Sequence, residues 1–421
     1  MRSIILILIL FLSKISSGQS IAKILFENLT RTKSSYLCQL LNVEIGDTLV
    51  LHRVEEDAQY LRDLNLFFDV SYRIDPVTDS SVNVYFIISE AKYVYPIVSN
   101  VTSDQKVNFS MGITDINFLG RGQTIGLFYQ YYDRHSFKLY QSTPRHKNNR
   151  TGHEFVLGKH STIEPLYFND TSVLFNFDNY HVSSGFYFWL NRYWKTSLGG
   201  MLMYENYVNR DHEVSFGGNS FGVGKMFDYR KYQLRSTLSY SKVSSHFERR
   251  NGLAMHTHLE NIQTLEQPDA RFWKLTNELR YYKIVGKRGN LAIRNQLGIA
   301  TNRKSPFAPF VIDGFMNIRG SGDRIARGTG EWVINAEYVH SVIRNKWMFC
   351  QVSAFTDVGF LRPPEEDARR IFEDSNTYHY SGIGLRFQSR VLYKVVVRFD
   401  YGVNMKNLRQ GGFVMGFNHF F

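Results

Sequence analysis

The residues best suited to do chemistry in this sequence are Arg319, Glu337 and Asp357. Arg319 and Gly320 sit in Phe310–Val339, FVIDGFMNIRGSGDRIARGTGEWVINAEYV, which is too long and polar for a hairpin turn yet flanked by strand-like sequence. Such a segment is expected to fold onto something rather than wave in solvent. Glu331, Asn335 and Glu337 alternate with Trp332, Ile334, Ala336 and Tyr338, and Asp357 shares a side with Gln351 and Ser353 in the run that follows. Adjacent strands lie ~4.8 Å apart, so one guanidinium entering from the loop could bridge both carboxylates through charge-assisted hydrogen bonds. Gly320 gives its backbone room, and Lys would substitute poorly for Arg319 because it lacks the planar fork. The same residues fit equally an exposed loop charge and a solvated carboxylate.

Other constellations carry less weight. Gly218-Asn219-Ser220-Phe221-Gly222 has the spacing of a nucleophile elbow, but no helical pattern follows it, so it reads as a glycine cluster at a strand end. His135, His146, His153, His160 and the pair His256 and His258 show no metal-site spacing joined to other ligands, and read as solvated loop and turn histidines. Gly217 to Gly224 lacks the strand and helix pattern of a nucleotide loop. No catalytic residue, metal or cofactor is expected.

Composition indicates what scaffold could position these groups. The 421 residues include 26 Tyr, 33 Phe and 31 Gly but only 9 Pro, with 43% hydrophobic content, a mix that suits β-structure with aromatic girdles. Behind Arg2, the apolar run Ile4–Leu12 is too short to span a bilayer, and Ser16, Ser17, Gly18 and Gln19 follow it. Residues 1–18 are therefore expected to be a cleaved secretory signal, with no nearby Cys to mark a lipoprotein. Cys38 and Cys350 fall in different parts of the expected fold, which excludes a disulfide framework. The formal charge of +12 reads as solubility and charged loops rather than nucleic-acid binding, with basic residues facing lipid phosphates as a middle reading.

Residues 19–92 and 93–421 follow different patterns. In the first part Ile21–Leu29, Leu66–Ile74 and Val82–Ser89 read as strands, with Pro76–Ser81 as the turn between the last two. Ser34–Leu41 and Leu51–Leu64 read as helices separated by Gly46-Asp47, the second burying Leu51, Val54, Ala58, Leu61 and Leu64. The order strand, helix, helix, strand, strand makes a small α+β domain.

From Tyr93 onward no convincing helix is found, and sixteen alternating segments run from Val107–Ile113 to Gly412–Phe421. They include Val173–Phe177, Phe186–Leu190, Val214–Phe221, Tyr232–Ser241 and Lys274–Tyr282; if Tyr93–Val98 is an extra first strand, a pair of these segments belongs together. A repeat of about 20 residues per strand and connection fits a transmembrane antiparallel β-barrel of about 16 strands. Along Lys394–Val403, Val395, Val397, Phe399, Tyr401 and Val403 oppose Lys394, Arg398, Asp400 and Gly402. With no second apolar face to build a core, lipid outside and a wet lumen inside are favoured over a soluble sandwich. Residues 300–330 are then a long loop folded inward.

Residues 19–92 resemble a POTRA domain, the periplasmic module of the outer-membrane assembly superfamily typified by BamA and TamA. Asn28 follows the first strand, Gly46-Asp47 separates the helices, and Leu61, Leu64, Phe67, Phe68 and Val70 lead into the second strand, with Glu27 where the family usually has Gly. Ile318-Arg319-Gly320-Ser321 resembles that superfamily's sixth-loop motif of Val-Arg-Gly and an aromatic, with Ser321 in the aromatic's place. Phe355-Thr356-Asp357-Val358-Gly359 is similar to the motif of the next strand but one, Asn117-Phe118-Leu119-Gly120-Arg121-Gly122 to an early periplasmic turn, and Ser381-Gly382-Ile383-Gly384-Leu385-Arg386 to the antepenultimate strand. Gly416 and Phe421 fit the usual terminal signal of a last strand closing in Phe421, although His419 takes a place normally hydrophobic.

The resemblance implies a bacterial outer-membrane protein with one POTRA-like domain in the periplasm and no enzymatic activity. It also implies that Arg319 pins the loop inside the barrel through Glu337 and Asp357 and stabilises the C-terminal strands. Unfolded outer-membrane or exported proteins as clients, outer-membrane lipid, and periplasmic or lipoprotein accessory subunits are the implied partners, and nucleic acid is not. Three activities are compatible with these features: insertion of outer-membrane proteins by strand pairing at a barrel seam, a polypeptide secretion or transport pore gated by the loop, and an outer-membrane lipolytic enzyme built on Ser220. Few hydrogen bonds between the first and last strands would favour the first. The single periplasmic domain points to a specialised role.

Overall fold

The chain divides into two compact units between Ala91 and Lys92. The computed structural model describes residues 19–64, 66–103, 106–146, 150–168, 171–210, 226–246, 248–265, 271–302, 308–322, 325–364, 366–389, 395–417 and 420–421. The expected signal at 1–18, the segment Val214–Phe221 and Ser220 lie outside the described residues.

In the first unit, β1 (Ser20–Glu27), β2 (Phe67–Thr78) and β3 (Ser81–Glu90) form a sheet in the order β1-β3-β2, with β1 parallel and β2 antiparallel to β3. The helices are α1 (Ser34–Cys38) and α2 (Leu51–Asp63). Val54, Ala58 and Leu61 recur at helical spacing and are buried, while Val82, Val84, Phe86 and Ile88 recur at strand spacing and are buried too. Leu51, expected on the buried face, is exposed, because it opens the helix one turn before the apolar stripe is covered. Pro76, expected in a turn, lies within β2. That strand is an edge, and its register shifts between Pro76 and Thr78, where a missing N–H is tolerated.

The second unit is an antiparallel barrel of sixteen strands. They are β4 (Val94–Ser103), β5 (Lys106–Phe118), β6 (Gln123–Tyr131), β7 (His135–Thr143), β8 (Thr151–Phe168), β9 (Thr171–Trp189), β10 (Trp194–Asn209), β11 (Met226–His246), β12 (Arg249–Thr264), β13 (Phe272–Val285) and β14 (Gly289–Ala300). A small hairpin of β15 (Phe310–Ile312) and β16 (Ala326–Gly328) then interrupts the barrel, which resumes with β17 (Gly330–Arg344), β18 (Met348–Arg362), β19 (Thr377–Ser389), β20 (Val396–Asn404) and β21 (Gly411–Phe417). The end of the barrel at which β4 begins is the near end; the loop carrying β15 and β16 enters from the far end. Alternation explains the wall. Leu127, Leu157, Leu202, Leu234, Ile383 and Phe413 are exposed on the outside, whereas Glu205, Lys231, Glu278, Glu337, Asp357 and Asp400 are buried on the inside. Among the described residues no helix is long and apolar enough to cross a membrane, and the strands do the crossing.

The arrangement with an extra first strand is the one found: β4 is that strand, and Val173–Phe177 and Phe186–Leu190 belong together in the single strand β9. Other expectations are corrected. β12 was not anticipated. Its outward Thr257 and Asn261 and its inward Ala254 and Ile262 blur the alternation that would have revealed it. His256 and His258 therefore stand on a strand rather than in a loop, bonded to Ser239 Oγ at 3.1 Å and Thr237 Oγ1 at 3.0 Å. His153 and His160 lie on β8, and His135 opens β7. β21 ends at Phe417, so Phe421 is not a strand residue. The lumen is not uniformly wet either. Phe310, Ile312 and Ile318 of the loop pack with inward Ile262, Phe272, Val333, Leu361 and Tyr380, giving the far half a core of its own.

Glu90, at the end of β3, supplies a pH-sensitive contact in the first unit. Thr30 Oγ1 and the N–H groups of Arg31 (3.0 Å) and Thr32 (2.8 Å) donate to its carboxylate. Burial alone would raise its pKa, but the hydrogen bonds from Thr30 and Thr32 hold it below the ordinary 4.5. Because the folded value is the lower one, the stabilisation is complete above the unfolded value and is lost as pH falls through the folded value. Amide-exchange protection of residues 28–33, corrected for intrinsic rate, should fall as the pH drops below about 4.5 and should already be weakened at neutral pH in Glu90→Gln. Protection of the wild type that ignores pH over this range would contradict it.

Candidate functional site

The loop between β14 and β17 is self-bonded before it touches the wall. Asp313 Oδ1 accepts the N–H groups of Phe315 (2.8 Å) and Met316 (3.0 Å), and Asn317 Oδ1 accepts the N–H of Asp313 at 2.9 Å. Asp and Asn at this spacing close a tight turn through their own backbone. Gly314 N–H donates to the Gly322 carbonyl at 2.6 Å and closes the tip. Arg319 is thereby presented on a rigid support.

Arg319 and Asp357 are both 0% exposed. Arg319 Nε donates to Asp357 Oδ2 at 2.9 Å and Nη2 to Oδ1 at 2.9 Å, the bidentate fork, while its backbone N–H adds a bond to Oδ2 at 3.0 Å. Asn335 Nδ2, from β17, donates to Asp357 Oδ1 at 2.8 Å and to the Asn317 carbonyl at 2.7 Å. The remaining nitrogen of the guanidinium, Nη1, faces Glu337 as an ion pair, 3.4 Å from Oε1. One guanidinium thus spans both carboxylates, but unequally, because Arg386 on β19 donates directly to Glu337. Arg386 lies 3.8 Å from Asp400, whose Oδ2 accepts Arg398 Nη1 at 2.6 Å. Three guanidiniums and three carboxylates therefore alternate across the loop and strands β17 to β20, so that the buried charges balance.

Aromatic rings complete the cage. The Arg319 Cζ lies 3.7 Å from the Phe355 ring centroid and 4.2 Å from that of Phe420. The second ring therefore comes from Phe420 and not from position 321. Phe420 stacks on Arg319 and Arg398, and the Phe421 carbonyl accepts Arg250 Nη1 at 3.3 Å.

Glycines let the loop backbone meet the wall backbone. Gly320 has φ +87°, and a Cβ there would lie 2.5 Å from the Gly402 carbonyl oxygen; a Cβ on Gly402 would lie 2.3 Å from the Arg319 oxygen, and one on Gly412 2.8 Å from the Gly320 oxygen. The loop tip thus rests on β20 and β21. Ile318 is fully buried and lies against Gly359, Gly382 makes room for the Phe355 ring, and Gly416 faces Arg398. Ser321 N–H donates to the Ile318 carbonyl at 3.2 Å. Gly120 and Gly122 form a separate feature, the near-end turn between β5 and β6, with φ +70° and +62° and the Gly122 N–H bonded to Asn117 Oδ1 at 2.7 Å.

Reading the sequence missed Arg386, Arg398, Asp400, Asn335, Gly402, Gly412 and Phe420 as members of this cluster. A signal existed for some of them: alternation puts Arg398, Asp400 and Gly402 on the inner face, and inward charges on neighbouring strands must find partners.

The barrel closes weakly. β20 pairs with β21 along Val397–Val403, and β4 pairs with β5 along Val94–Ser103. Between β21 and β4, however, only Val414 with Val101 and Met415 with Asn100 are partnered among the described residues.

Residues 117–421 match the family described as the Omp85 superfamily domain, and residues 19–91 match the POTRA family, described as a surface antigen variable number repeat. No curated protein matches the chain. Among solved structures, BamA from Haemophilus ducreyi lacking POTRA domains 1-3 is similar over 95% of this chain and 85% of its own, with a TM-score of 0.57 and 15% identity. CdiB from Acinetobacter baumannii is similar over 95% of this chain and 73% of its own, with a TM-score of 0.60 and 13% identity. CdiB from Escherichia coli is similar over 95% and 76%, with a TM-score of 0.64 and 12% identity. At these identities the likeness speaks for the fold.

The backbone-to-backbone contact of the loop yields a direct test. Gly402→Ala should lower the unfolding free energy of the barrel by about 1–3 kcal/mol and open the loop to trypsin, because no flexible side chain can yield to the new methyl. Gly200→Ala on β10, where the nearest atom to a Cβ is 3.7 Å away, is the control and should change neither. Equal behaviour of the two variants in urea unfolding and limited proteolysis would rule out a loop seated on β20.

Proposed function

The chain belongs to the Omp85 superfamily, whose barrels are outer-membrane insertases and translocases, and on that premise we propose that it is an assembly factor that inserts proteins into the outer membrane. The observation that carries this reading is the seam. Among the described residues β4 and β21 meet at two residue pairs, although each strand is several residues longer than that. In lipid, unpaired backbone N–H and C=O groups cost several kcal/mol each, so a poorly paired edge draws in an incoming strand. A client strand adding to that edge would satisfy its own backbone and the barrel's together.

In this reading Arg319, Gly320, Glu337 and Asp357 form a lock that pins the loop in the lumen and braces the C-terminal wall. The first unit, a POTRA domain of the kind that is periplasmic in this family, would offer its β2 edge to unfolded clients or to accessory subunits. The clients are unfolded outer-membrane or exported proteins, and outer-membrane lipid is the solvent. Export of a polypeptide through the lumen is the alternative, but it would require the loop and its apolar core to leave the far half of the barrel.

Two outcomes follow. Purified protein in liposomes should accelerate the folding of a urea-unfolded outer-membrane barrel, followed by the gel shift of unheated samples. The acceleration should vanish when cysteines at Val101 and Val414 are oxidised in a chain lacking Cys38 and Cys350, and return on reduction. No acceleration over empty liposomes, together with ion conductance that loop removal increases, would favour the pore. Separately, Arg319→Lys should destabilise the barrel by a substantial part of the roughly 3–5 kcal/mol associated with breaking a buried pair. A melting point and loop protease resistance equal to wild type would remove the lock from the account.

A further inference from the structure

Three neighbouring near-end hairpins, joining β11 to β12, β13 to β14 and β17 to β18, carry an unusual charge balance. Residues 242–252, 281–292 and 339–350 contain eight Lys and Arg and one acid, Glu248. That acid is buried and already engaged, with Arg344 Nη2 at 2.5 Å and Ser341 Oγ at 3.1 Å. The turns are tied to one another, since Arg344 Nη2 also donates to the Lys287 carbonyl at 2.9 Å and Arg288 Nη1 to the Val342 carbonyl at 3.5 Å. Of these cations Lys242, Lys283, Lys287, Arg288, Arg344 and Lys346 are exposed and make one patch, whereas Arg250 is turned toward Phe421.

The patch adjoins the apolar exterior of the barrel. Tyr281, Val285, Val342, Ile343 and Trp347 are all exposed large hydrophobics, and the register shift between Ser341 and Ile343 turns two successive apolar residues outward. Lys283 alternates with Tyr281 and Val285 and so stands on their lipid-facing side. The Lys346 ammonium lies 5.2 Å from the Trp347 ring centroid. A stripe of aliphatic and aromatic groups edged by Lys and Arg fits the boundary between acyl chains and headgroups, with the long cationic side chains reaching toward phosphates.

We propose that these three hairpins form a binding surface for anionic phospholipid headgroups at the near end of the barrel, which is the periplasmic end because β4 follows directly from the POTRA domain. The position of Lys283 among lipid-facing residues selects lipid over a soluble acidic protein, which would meet the turns but not the outer wall. Its role would be to fix the height and tilt of the barrel beside β17 and β18, the strands that hold the Arg319 cluster. The inference rests on the membrane placement proposed above and not on strand pairing at the seam.

The test uses the full chain in vesicles of equal parts phosphatidylglycerol and phosphatidylcholine. The protein is then extracted in mild detergent, and the lipid that stays bound is quantified by mass spectrometry. Wild type should retain phosphatidylglycerol in preference to phosphatidylcholine, and the combined variant K283Q/K287Q/R288Q/K346Q should lose about tenfold or more of that enrichment, as should wild type in high salt. The unheated gel shift reports whether the variant is folded, and K283Q and K346Q singly, each expected to lose several-fold, cover the case in which it is not. Equal enrichment in wild type and variants, displacement by soluble glycerol phosphate, or capture of polyglutamate without a lipid preference would each overturn the inference. Failure of the protein to enter vesicles would tell against the membrane reading itself, and the inference would fall with it.

Discussion

A guanidinium with no access to water must be neutralised where it stands, and that requirement at Arg319 governs the inside of this barrel. Asp357 supplies the bidentate partner, Asn335 orients that carboxylate, and Phe355 and Phe420 cover the two faces. Removing one partner of such a pair would leave a bare charge and cost about 3–5 kcal/mol. The loop therefore cannot leave the lumen without a large penalty. The same charges recruit Glu337, Arg386, Arg398 and Asp400, so that strands β17 to β20 of the wall share one electrostatic network.

In the proposed reading, the lock and the seam are complementary. Through Gly320 the loop tip rests on Gly402 and Gly412, which places the support on β20 and β21, next to the junction where backbone pairing is sparse. A wall held from inside can tolerate a free edge, because its shape no longer depends on closure. On the other side of the seam, β4 pairs along its length with β5. Sparse pairing among the described residues thus falls at one junction, where an incoming strand could exchange poor pairing for good pairing.

Much of this was legible in the sequence. Period-two alternation placed Glu337, Asp357, Arg398 and Asp400 on one face, and the charged, glycine-rich stretch around Arg319 identified a loop with something to hold. Partner choice was not legible, since Arg386 reaches Glu337 only through a register that alternation leaves open. Gly402 and Gly412 are uninformative on their own strands, because what approaches them comes from a distant loop. β12 was hidden by polar groups on its outer face and apolar groups on its inner face. Phe420 reads as the end of a strand, and nothing in the alternation places its ring over a guanidinium of a distant loop.

The most direct measurement is site-specific cross-linking to a client stalled during insertion, with a photoreactive residue placed in turn at Val414 on β21, Leu238 on the outer face of β11 and Lys231 in the lumen. Strand addition at the seam predicts that the client's terminal strand cross-links to position 414 and to neither of the others. Cross-links concentrated at position 231 would mean that the polypeptide passes through the barrel, and would contradict the account.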